Sequence, residues 1–252
     1  MDFDHIADKY DAWFATPLGA AIDRWEKEVT WRLARPEPGQ KVLDIGTGTA
    51  NYLLELAGMG LDCTGLDIGF NMLLRARAKS NTLGLDLKLV TADSHHLPYP
   101  DRCFDLVISV TAFEFFPDPV RSVQEMIRVC KPGGRIVVGV LNKWSVWAAR
   151  RRFLSWFGET IFTRCRFYSY PEMSRLFRPG EWATAAFAPP GLPSRLIPLF
   201  DRLEPVFRKW AKPFGAYLAV CKPLPPNPPP DSGVLKGISG SRDIPDHRQH
   251  VR

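Results

Sequence analysis

The stretch Lys41-Val-Leu-Asp-Ile-Gly-Thr-Gly-Thr-Ala-Asn51 decides the fold. Residues 42–45 are largely apolar, which is typical of a strand buried on both faces of a sheet. Gly46 and Gly48 then permit a sharp backbone turn, and apolar residues recur at helical spacing over 52–57. The stretch predicts a strand, a glycine turn and a helix. In open α/β sheets, ligands bind in the crevice beside such a turn.

Strand and helix patterns alternate on both sides of this turn. Lys131-Pro-Gly-Gly134 ends one predicted helix, and a helical stretch at 195–210 joins the last two strands. This alternation predicts an α/β protein with a parallel sheet and helices on both faces. The predicted strands are 41–45, 61–67, 86–91, 104–110, 135–141, 182–188 and 214–221, and the helices are about 50–58, 69–79 and 119–130.

The remaining segments define the domain organisation. Residues 1–35 are apolar and aromatic, which predicts a helical cap on a domain that extends to residue 222. Residues 142–212 hold an aromatic and arginine-rich insertion followed by late helices, and we assign them to the substrate side. Residues 223–252 are proline-rich without apolar periodicity, which predicts a disordered tail.

Composition restricts the class of protein. The 252 residues are 45% hydrophobic, enough for a proper core, and no apolar run approaches the roughly 20 residues of a membrane span. The acidic start is not a signal peptide, so we expect a cytoplasmic location. The five cysteines form no Cys-x-x-Cys pair and the adjacent His95 and His96 lack further ligands, so no metal site is predicted.

The net charge of +6 is unevenly distributed. Residues 1–120 carry 11 Lys and Arg against 18 Asp and Glu, residues 121–212 carry 17 against 6, and the remainder carries 5 against 3. A solvated face would explain part of the basic surplus. An anionic small molecule, nucleic acid or an acidic membrane surface are the partners that it leaves open.

Carboxylates follow the predicted strand ends beside the glycine turn. Asp67 ends strand 61–67, at the spacing where nucleoside-binding folds place an acidic residue on the ribose hydroxyls. At the next strand end, Ala92-Asp93-Ser94 offers a carboxylate to an adenine amino group. Strand 104–110 ends with small residues up to Val110, and these residues would form the bottom of the pocket. If the glycines formed only a tight turn, there would be no reason for the ends of three further strands to carry residues that suit a nucleoside.

Taken in order, these motifs resemble the class I S-adenosylmethionine-dependent methyltransferases, specifically the group of the ubiquinone/menaquinone C-methyltransferases and the biotin-pathway methyltransferase. The resemblance implies a Rossmann-like, seven-stranded, mostly parallel sheet whose last strand is antiparallel, with S-adenosylmethionine as the cofactor. It covers roughly residues 5–145 and rests on the segments 42–49, 65–68, 92–100, 104–105 and 129–135.

The resemblance also implies roles for single residues. Thr47 stands where many relatives carry Cys, and Asn51 occupies the third glycine position of a dinucleotide fingerprint, which counts against NAD. The implied contacts are Asp44, Gly46, Thr47 and Gly48 near the methionine portion, Asp67 on the ribose, Ile68 and Ala92–Ser94 at the adenine, Val110 near the sulfonium, and Tyr10 closing over the cofactor.

Candidate acceptor residues lie outside these motifs. Glu114, just past a strand end, is the best-placed base if the acceptor must lose a proton, although a loop carboxylate often only caps or pairs. A helix at about 144–158 has an apolar face that includes Arg150 and is flanked by Arg151 and Arg152, and we predict a lid over an apolar or anionic acceptor with Arg150 or Arg151 turned toward it. The apolar residues of this face are Val146, Trp147, Ala149, Phe153, Leu154, Trp156 and Phe157. A core helix and a membrane-surface helix are the alternatives. The aromatic candidates are Trp13, Phe113, Phe116, Trp144 and Trp147.

The predicted function is methyl transfer from S-adenosylmethionine to a small-molecule acceptor by in-line displacement. An RNA methyltransferase is a second hypothesis, suggested by the basic middle of the chain. The sequence argues against it, because it has no appended RNA-binding module and no Asn-Pro-Pro-Tyr motif. A non-catalytic cofactor-binding partner protein is the third hypothesis, and a dehydrogenase is disfavoured by Asn51.

Overall fold

A computed structural model describes residues 7–155 and 165–226, with side chains from residue 11 onward. The helices are α1 (Ala7–Phe14), α2 (Pro17–Ala34), α3 (Asn51–Gly58), α4 (Phe70–Leu83), α5 (Pro119–Val129), α6 (Val146–Leu154), α7 (Tyr170–Phe177) and α8 (Ile197–Trp210). The strands are β1 (Lys41–Ile45), β2 (Asp62–Asp67), β3 (Lys88–Thr91), β4 (Phe104–Val110), β5 (Cys130–Leu141), β6 (Glu181–Ala185) and β7 (Tyr217–Pro223).

Within these residues, seven strands form one sheet in the order β3-β2-β1-β4-β5-β7-β6. The first five are mutually parallel, and β7 runs antiparallel to both β5 and β6. The predicted fold class, a mostly parallel seven-stranded sheet with an antiparallel last strand, is confirmed. Chain order reverses between β1 and β4, and this switch point sets the position of the crevice.

Both faces of the sheet are buried, because successive strand residues point to opposite sides. Val42 and Leu106 pack on the side covered by α2 and α3, whereas Leu43 and Val107 pack on the side covered by α5 and α7. The apolar runs in the sequence reflect this burial on both faces.

Several boundaries differ from the predicted ones. β5 begins at Cys130 rather than at 135, because Cys130 pairs with Phe104 before an irregularity that shifts the register. β7 continues to Pro223, and the amide of Leu224 donates to the carbonyl of Gly134 at 2.9 Å. The chain is therefore paired with β5 past the predicted start of the tail. The rest of that tail, 227–252, lies outside the described residues.

The helix α2 packs against β5, β6 and β7, and α1 contacts α2 and α4. Thr30 on α2 forms a 2.7 Å hydroxyl contact with Tyr217 on β7. Asp11 on α1 accepts hydrogen bonds from Thr49 and from the Lys79 ammonium, each at 2.7 Å. These contacts hold α1 beside the glycine turn that follows β1.

Two further expectations concern cysteines and membrane spans. None of the five cysteines, all within the described ranges, forms a disulfide, and Cys63, Cys130 and Cys221 are buried. In the part of the chain that the structure describes, every helix is too short or too polar to span a bilayer.

Candidate functional site

A cavity of about 690 Å³ opens where β1 and β4 diverge at their carboxyl ends. Its size lies within the range of small-molecule sites. One end is formed by the glycine turn and the ends of β2 and β3. The rest of the lining comes mainly from α1, α2 and α6, which contribute Trp13, Phe14, Ile22, Glu26, Trp147, Arg150, Arg151 and Leu154.

The glycine turn has a conformation that requires glycine. Gly46 has a φ of +77°, and a Cβ at this position would lie 2.4 Å from the Cβ of Ala112. Its amide and that of Thr47 donate to the carbonyl of Leu66 at 2.7 and 3.0 Å, which ties the turn to β2. Gly48 has a φ of +54° and lines the cavity. The backbone therefore comes close to any ligand bound here.

Asp44 provides a test of whether the cavity fits a cationic group. Thr47 Oγ1 donates to Asp44 Oδ2 at 2.7 Å, whereas the buried Oδ1 has no protein partner. Burial raises the pKa of Asp44 to about 7. A buried acceptor without a partner is costly, and an ammonium or sulfonium group in the cavity would compensate it. The site therefore fits the methionine portion of S-adenosylmethionine.

Asp67 is held in place at the end of β2 by two backbone donors. The amides of Gly48 and Gly69 donate to Asp67 Oδ2 and Oδ1, each at 2.8 Å. A carboxylate has about four acceptor positions, so it can accept from hydroxyl groups as well as from backbone amides. Asp67 lines the cavity and suits a vicinal diol.

The predicted adenine residues lie at the same edge. Ala92, Asp93 and Ser94 all line the cavity after β3. Asp93 Oδ1 accepts from the His95 amide at 2.9 Å, and Ser94 contacts the Ser122 hydroxyl at 3.0 Å.

Val110 at the end of β4 and Ile68 after β2 complete this end of the cavity. The Ile68 side chain is 61% exposed, so a flat ring could cover it. For Tyr10, the structure describes the helical backbone of α1 but not the side chain.

α6 is rotated relative to the predicted helical wheel. Val146, Ala149 and Phe153 are exposed, whereas Trp147, Arg150, Arg151 and Leu154 line the cavity. The buried Ser145 caps the helix by accepting from the Ala148 amide at 3.0 Å. Trp147 Nε1 donates to the carbonyl of Ala188 at 2.7 Å. These two anchors set the rotation. Residues 156–157 of the predicted face lie outside the described residues.

Two of the predicted aromatic acceptor residues lie away from the cavity. Trp144 is 47% exposed and lines a separate shallow pocket together with Phe214. The Trp144 amide donates to Asn142 Oδ1 at 3.2 Å, and this bond directs the side chain outward. Phe113 is fully buried in the core against Tyr168 and Phe177. The others, Trp13, Phe116 and Trp147, line the cavity.

Glu114 lies behind the cavity wall. Its Oε1 accepts from the Leu141 amide at 2.5 Å, and Leu141 rather than Glu114 lines the cavity. Its Oε2 is buried without a protein partner. Burial raises the pKa of Glu114 to about 7.

Glu26 was not predicted from the sequence, although it lines the cavity. It is 8% exposed and lies between Ile22 and Val29 on the buried face of α2. A single carboxylate among the mainly apolar residues of this helix face is the signal that could have identified it.

Among residues 7–155 and 165–226, no three His, Cys, Asp or Glu side chains gather as metal ligands would.

Comparisons with known proteins agree with this geometry. Residues 43–138 match a family described as a methyltransferase domain. The demethylmenaquinone methyltransferase of Bacillus cereus is 31% identical over 180 residues, which cover 69% of this chain and 76% of that protein. The chain belongs to the class I S-adenosylmethionine-dependent methyltransferases. The resemblance inferred from the sequence motifs is thereby confirmed.

Other relatives define the extent of the match. The demethylmenaquinone methyltransferase of Bacillus cytotoxicus is 35% identical over 139 residues, which span 54% of this chain and only 58% of that protein. A solved S-adenosylmethionine-dependent methyltransferase from Thermotoga maritima superposes with a TM-score of 0.64 over 88% of this methyltransferase and 97% of that chain. Its identity is 19%, so this likeness supports the fold alone.

Proposed function

We propose that the chain transfers the methyl group of S-adenosylmethionine to an apolar, ring-bearing small molecule. The observation that carries this proposal is one cavity that is lined by two kinds of side chain. We assign the part lined by Asp44, Asp67 and the glycine turn to the cofactor and call it the polar end, and we assign the part lined by Trp13, Trp147 and Leu154 to the acceptor and call it the apolar end. Such a cavity can hold a nucleoside cofactor and an apolar acceptor side by side.

The proposed cofactor contacts follow from the polar end. Asp44 Oδ1 would pair with the cationic methionine portion, and Asp67 would accept the two ribose hydroxyls. Gly46, Thr47 and Gly48 would line the methionine portion, and Tyr10 on α1 would close over it. The adenine would lie among Ile68, Ala92, Asp93 and Ser94, with Val110 near the sulfonium.

The apolar end supports a planar acceptor with an anionic or hydroxylated edge. Trp13, Phe116 and Trp147 offer aromatic surface, and Arg150 and Arg151 offer positive charge. Relatives are named for demethylmenaquinone, which is a ring compound with an apolar chain. We therefore propose an acceptor of the reduced-quinone class.

The chemistry demands mainly alignment from the protein. When bound, S-adenosylmethionine supplies an already activated methyl group. The cavity walls then orient the acceptor and exclude water, which can contribute roughly 7–11 kcal/mol in the best model systems. The sequence prediction that Glu114 acts as a base stays a prediction. Its position behind Leu141 gives it no contact with the cavity.

Membrane contact is part of the same proposal, since an acceptor with an apolar chain would reside in a bilayer. On α8, Leu199 and the 78% exposed Trp210 share the outer surface with Arg202 and Lys209, and Phe214 follows it. Exposed aromatic and basic groups together suit an anionic membrane surface. Sedimentation with anionic but not neutral vesicles, reversed by salt, would support this contact.

The experiment is a screen with labelled S-adenosylmethionine, in which reduced short-chain demethylmenaquinone and bulk transfer RNA are offered separately. We expect label in the quinol and none in the RNA. Label in RNA alone would favour the second hypothesis. Binding of S-adenosylhomocysteine without transfer to either acceptor or to a metabolite extract would favour a non-catalytic protein.

The predicted cytoplasmic location stays a prediction that cell fractionation would test.

A further inference from the structure

We propose that Glu26 is the catalytic residue that removes the acceptor's hydroxyl proton, an inference that rests on the proposed methyl transfer. Glu26 lies on α2 and lines the cavity together with Ile22, Trp147 and Arg151. Because Arg151 also interacts electrostatically with Glu26, we place the acceptor beside this carboxyl.

The position of Glu26 is unusual for a carboxylate. Ile22 and Val29, one turn on either side, are buried in the core, so Glu26 occupies the middle of the apolar face of α2. Tyr52 hydroxyl lies 3.5 Å from Oε2, which is a long contact for a hydrogen bond. A buried carboxylate with so weak a contact can still accept a proton from a ligand.

Charged groups from several elements face Glu26 and set its protonation. Burial is the largest influence and raises the pKa of Glu26 to about 8. Asp23 and Glu114 act in the same direction, whereas Arg151 and the Tyr52 hydroxyl oppose it. Tyr217 on β7 also interacts with Glu26. A base whose pKa lies near the working pH is efficient, because it both accepts and releases protons.

Glu114 differs from Glu26 in access. The Glu114 carboxyl is fixed by the Leu141 amide at 2.5 Å and lies behind the wall that Leu141 forms. An acceptor hydroxyl in the cavity can reach Glu26 without displacing the backbone. The two carboxyls therefore make different predictions when each is replaced.

The proposed step balances as follows. The acceptor O–H bond breaks and its proton moves to Glu26. The electron pair released forms a new bond to the methyl carbon, from the oxygen or through a conjugated ring carbon, while the pair of the breaking carbon–sulfur bond stays on sulfur. Where the oxygen reacts, Glu26 then releases the proton to solvent. Where a ring carbon reacts, the hydrogen of that carbon leaves as a proton to solvent, and the proton on Glu26 returns to the oxygen and restores the hydroxyl.

The test compares Glu26→Gln with two matched variants. Glu28→Gln changes an exposed carboxylate on the same helix that pairs with Arg208, and Glu114→Gln changes the fixed carboxyl. With reduced short-chain demethylmenaquinone at pH 8, we expect kcat to fall about 10²- to 10⁴-fold in Glu26→Gln. Glu28→Gln should match the wild type, and Glu114→Gln should lose less than Glu26→Gln. Calorimetry should give the same S-adenosylhomocysteine affinity for Glu26→Gln and the wild type.

The pH profile separates proton transfer from a structural role. Wild-type kcat/KM should rise with pH with a midpoint near 8 and level off above it, the Glu26→Gln profile should lack this rise, and Glu26→Asp should restore part of the activity. Full activity in Glu26→Gln, or lost S-adenosylhomocysteine binding with retained kcat, would overturn the role of Glu26. Absence of methylated product with the wild type would instead refute the proposed function.

Discussion

Asp67 tests the polar end of the cavity at the scale of one residue. Asp67→Ala removes an acceptor from the proposed ribose hydroxyls, and charged hydrogen bonds of this kind contribute about 1.5–3 kcal/mol. We expect S-adenosylhomocysteine to bind about 10- to 150-fold more weakly in calorimetry. Asp62→Ala is the matched control, because Asp62 begins the same strand and pairs at the surface with Lys88. Equal affinity in a folded Asp67→Ala protein would contradict the assignment.

The buried carboxyls give a prediction for stability. Burial raises the pKa of Glu26 to about 8 and that of Asp44 and Glu114 to about 7, from values of about 4 in an unfolded chain. The folded state therefore holds these protons more tightly. Their contribution to stability is complete below about pH 4 and is lost as the pH rises through 7 to 8. The free energy of unfolding should therefore fall as the pH rises from about 4 to about 8.

Urea unfolding at pH 5.5 and pH 8.5 measures this fall. Glu26→Gln should reduce it by an amount on the order of a few kcal/mol, since each unit of pKa difference corresponds to about 1.4 kcal/mol. Glu28→Gln should leave it unchanged. An equal fall in the wild type and Glu26→Gln would show that Glu26 is already charged in the folded state.

The site residues that the sequence revealed are those fixed by local geometry. Asp44, Gly46 and Asp67 lie at strand ends, and parallel strands bring their carboxyl ends to one edge of the sheet. Glu26 is placed only by the packing of α2 against β6 and β7, so the sequence contains no local signal for its neighbours. Trp13 and Trp147 were named from the sequence and do line the cavity, whereas Ile22 and Glu26 on α2 were not named, because their place in the cavity depends on tertiary contacts that a motif does not encode.

At the scale of elements, α6 is the proposed lid over the acceptor. Trp147→Ala removes an aromatic wall of the cavity and the bond to the Ala188 carbonyl, so KM for the quinol should rise at least tenfold. S-adenosylhomocysteine affinity should change little. Trp144→Ala is the matched control, because Trp144 faces outward from the start of the same helix. An equal rise of KM in the two variants would refute the proposal that α6 covers the acceptor.

The rotation of α6 shows where helical periodicity fails as a guide. Counting apolar residues placed Val146, Ala149 and Phe153 on the inner face, yet all three are exposed. The Ser145 cap and the Trp147 indole bond fix the helix at its first turn. Arg150, which the wheel placed within the apolar face, and Arg151, which it placed beside that face, both line the cavity.

α1 is tethered to the glycine turn through Asp11, which accepts from Thr49 and Lys79. Asp11→Ala should loosen this cap and speed cofactor dissociation severalfold, measured by stopped-flow displacement of S-adenosylhomocysteine. Asp118→Ala is a matched control, since Asp118 caps α5 away from α1. An unchanged dissociation rate would show that α1 does not hold the cofactor.

At the scale of the whole molecule, the topology was predictable because β1 to β5 follow one another with buried apolar runs. The late strand β7 pairs with β5, and β6 pairs with β7, both across long separations, and the predicted bounds of β6 and β7 were displaced by one to three residues. Gly133 and Gly134 look like a loop in the sequence, but pairing with residues near 224 keeps them in β5. The start of β5 is therefore set by pairing with distant residues, which the local turn residues do not indicate.

Transfer of an intact methyl group tests the central claim most directly. S-adenosylmethionine with a fully deuterated methyl group is incubated with the wild type and reduced short-chain demethylmenaquinone, and the mass of the product is measured by mass spectrometry. The account predicts one added methyl group that retains all of its deuterium, and strongly reduced product with Asp67→Ala. A wild type that binds S-adenosylhomocysteine but leaves this quinol unmethylated while labelling RNA would contradict it.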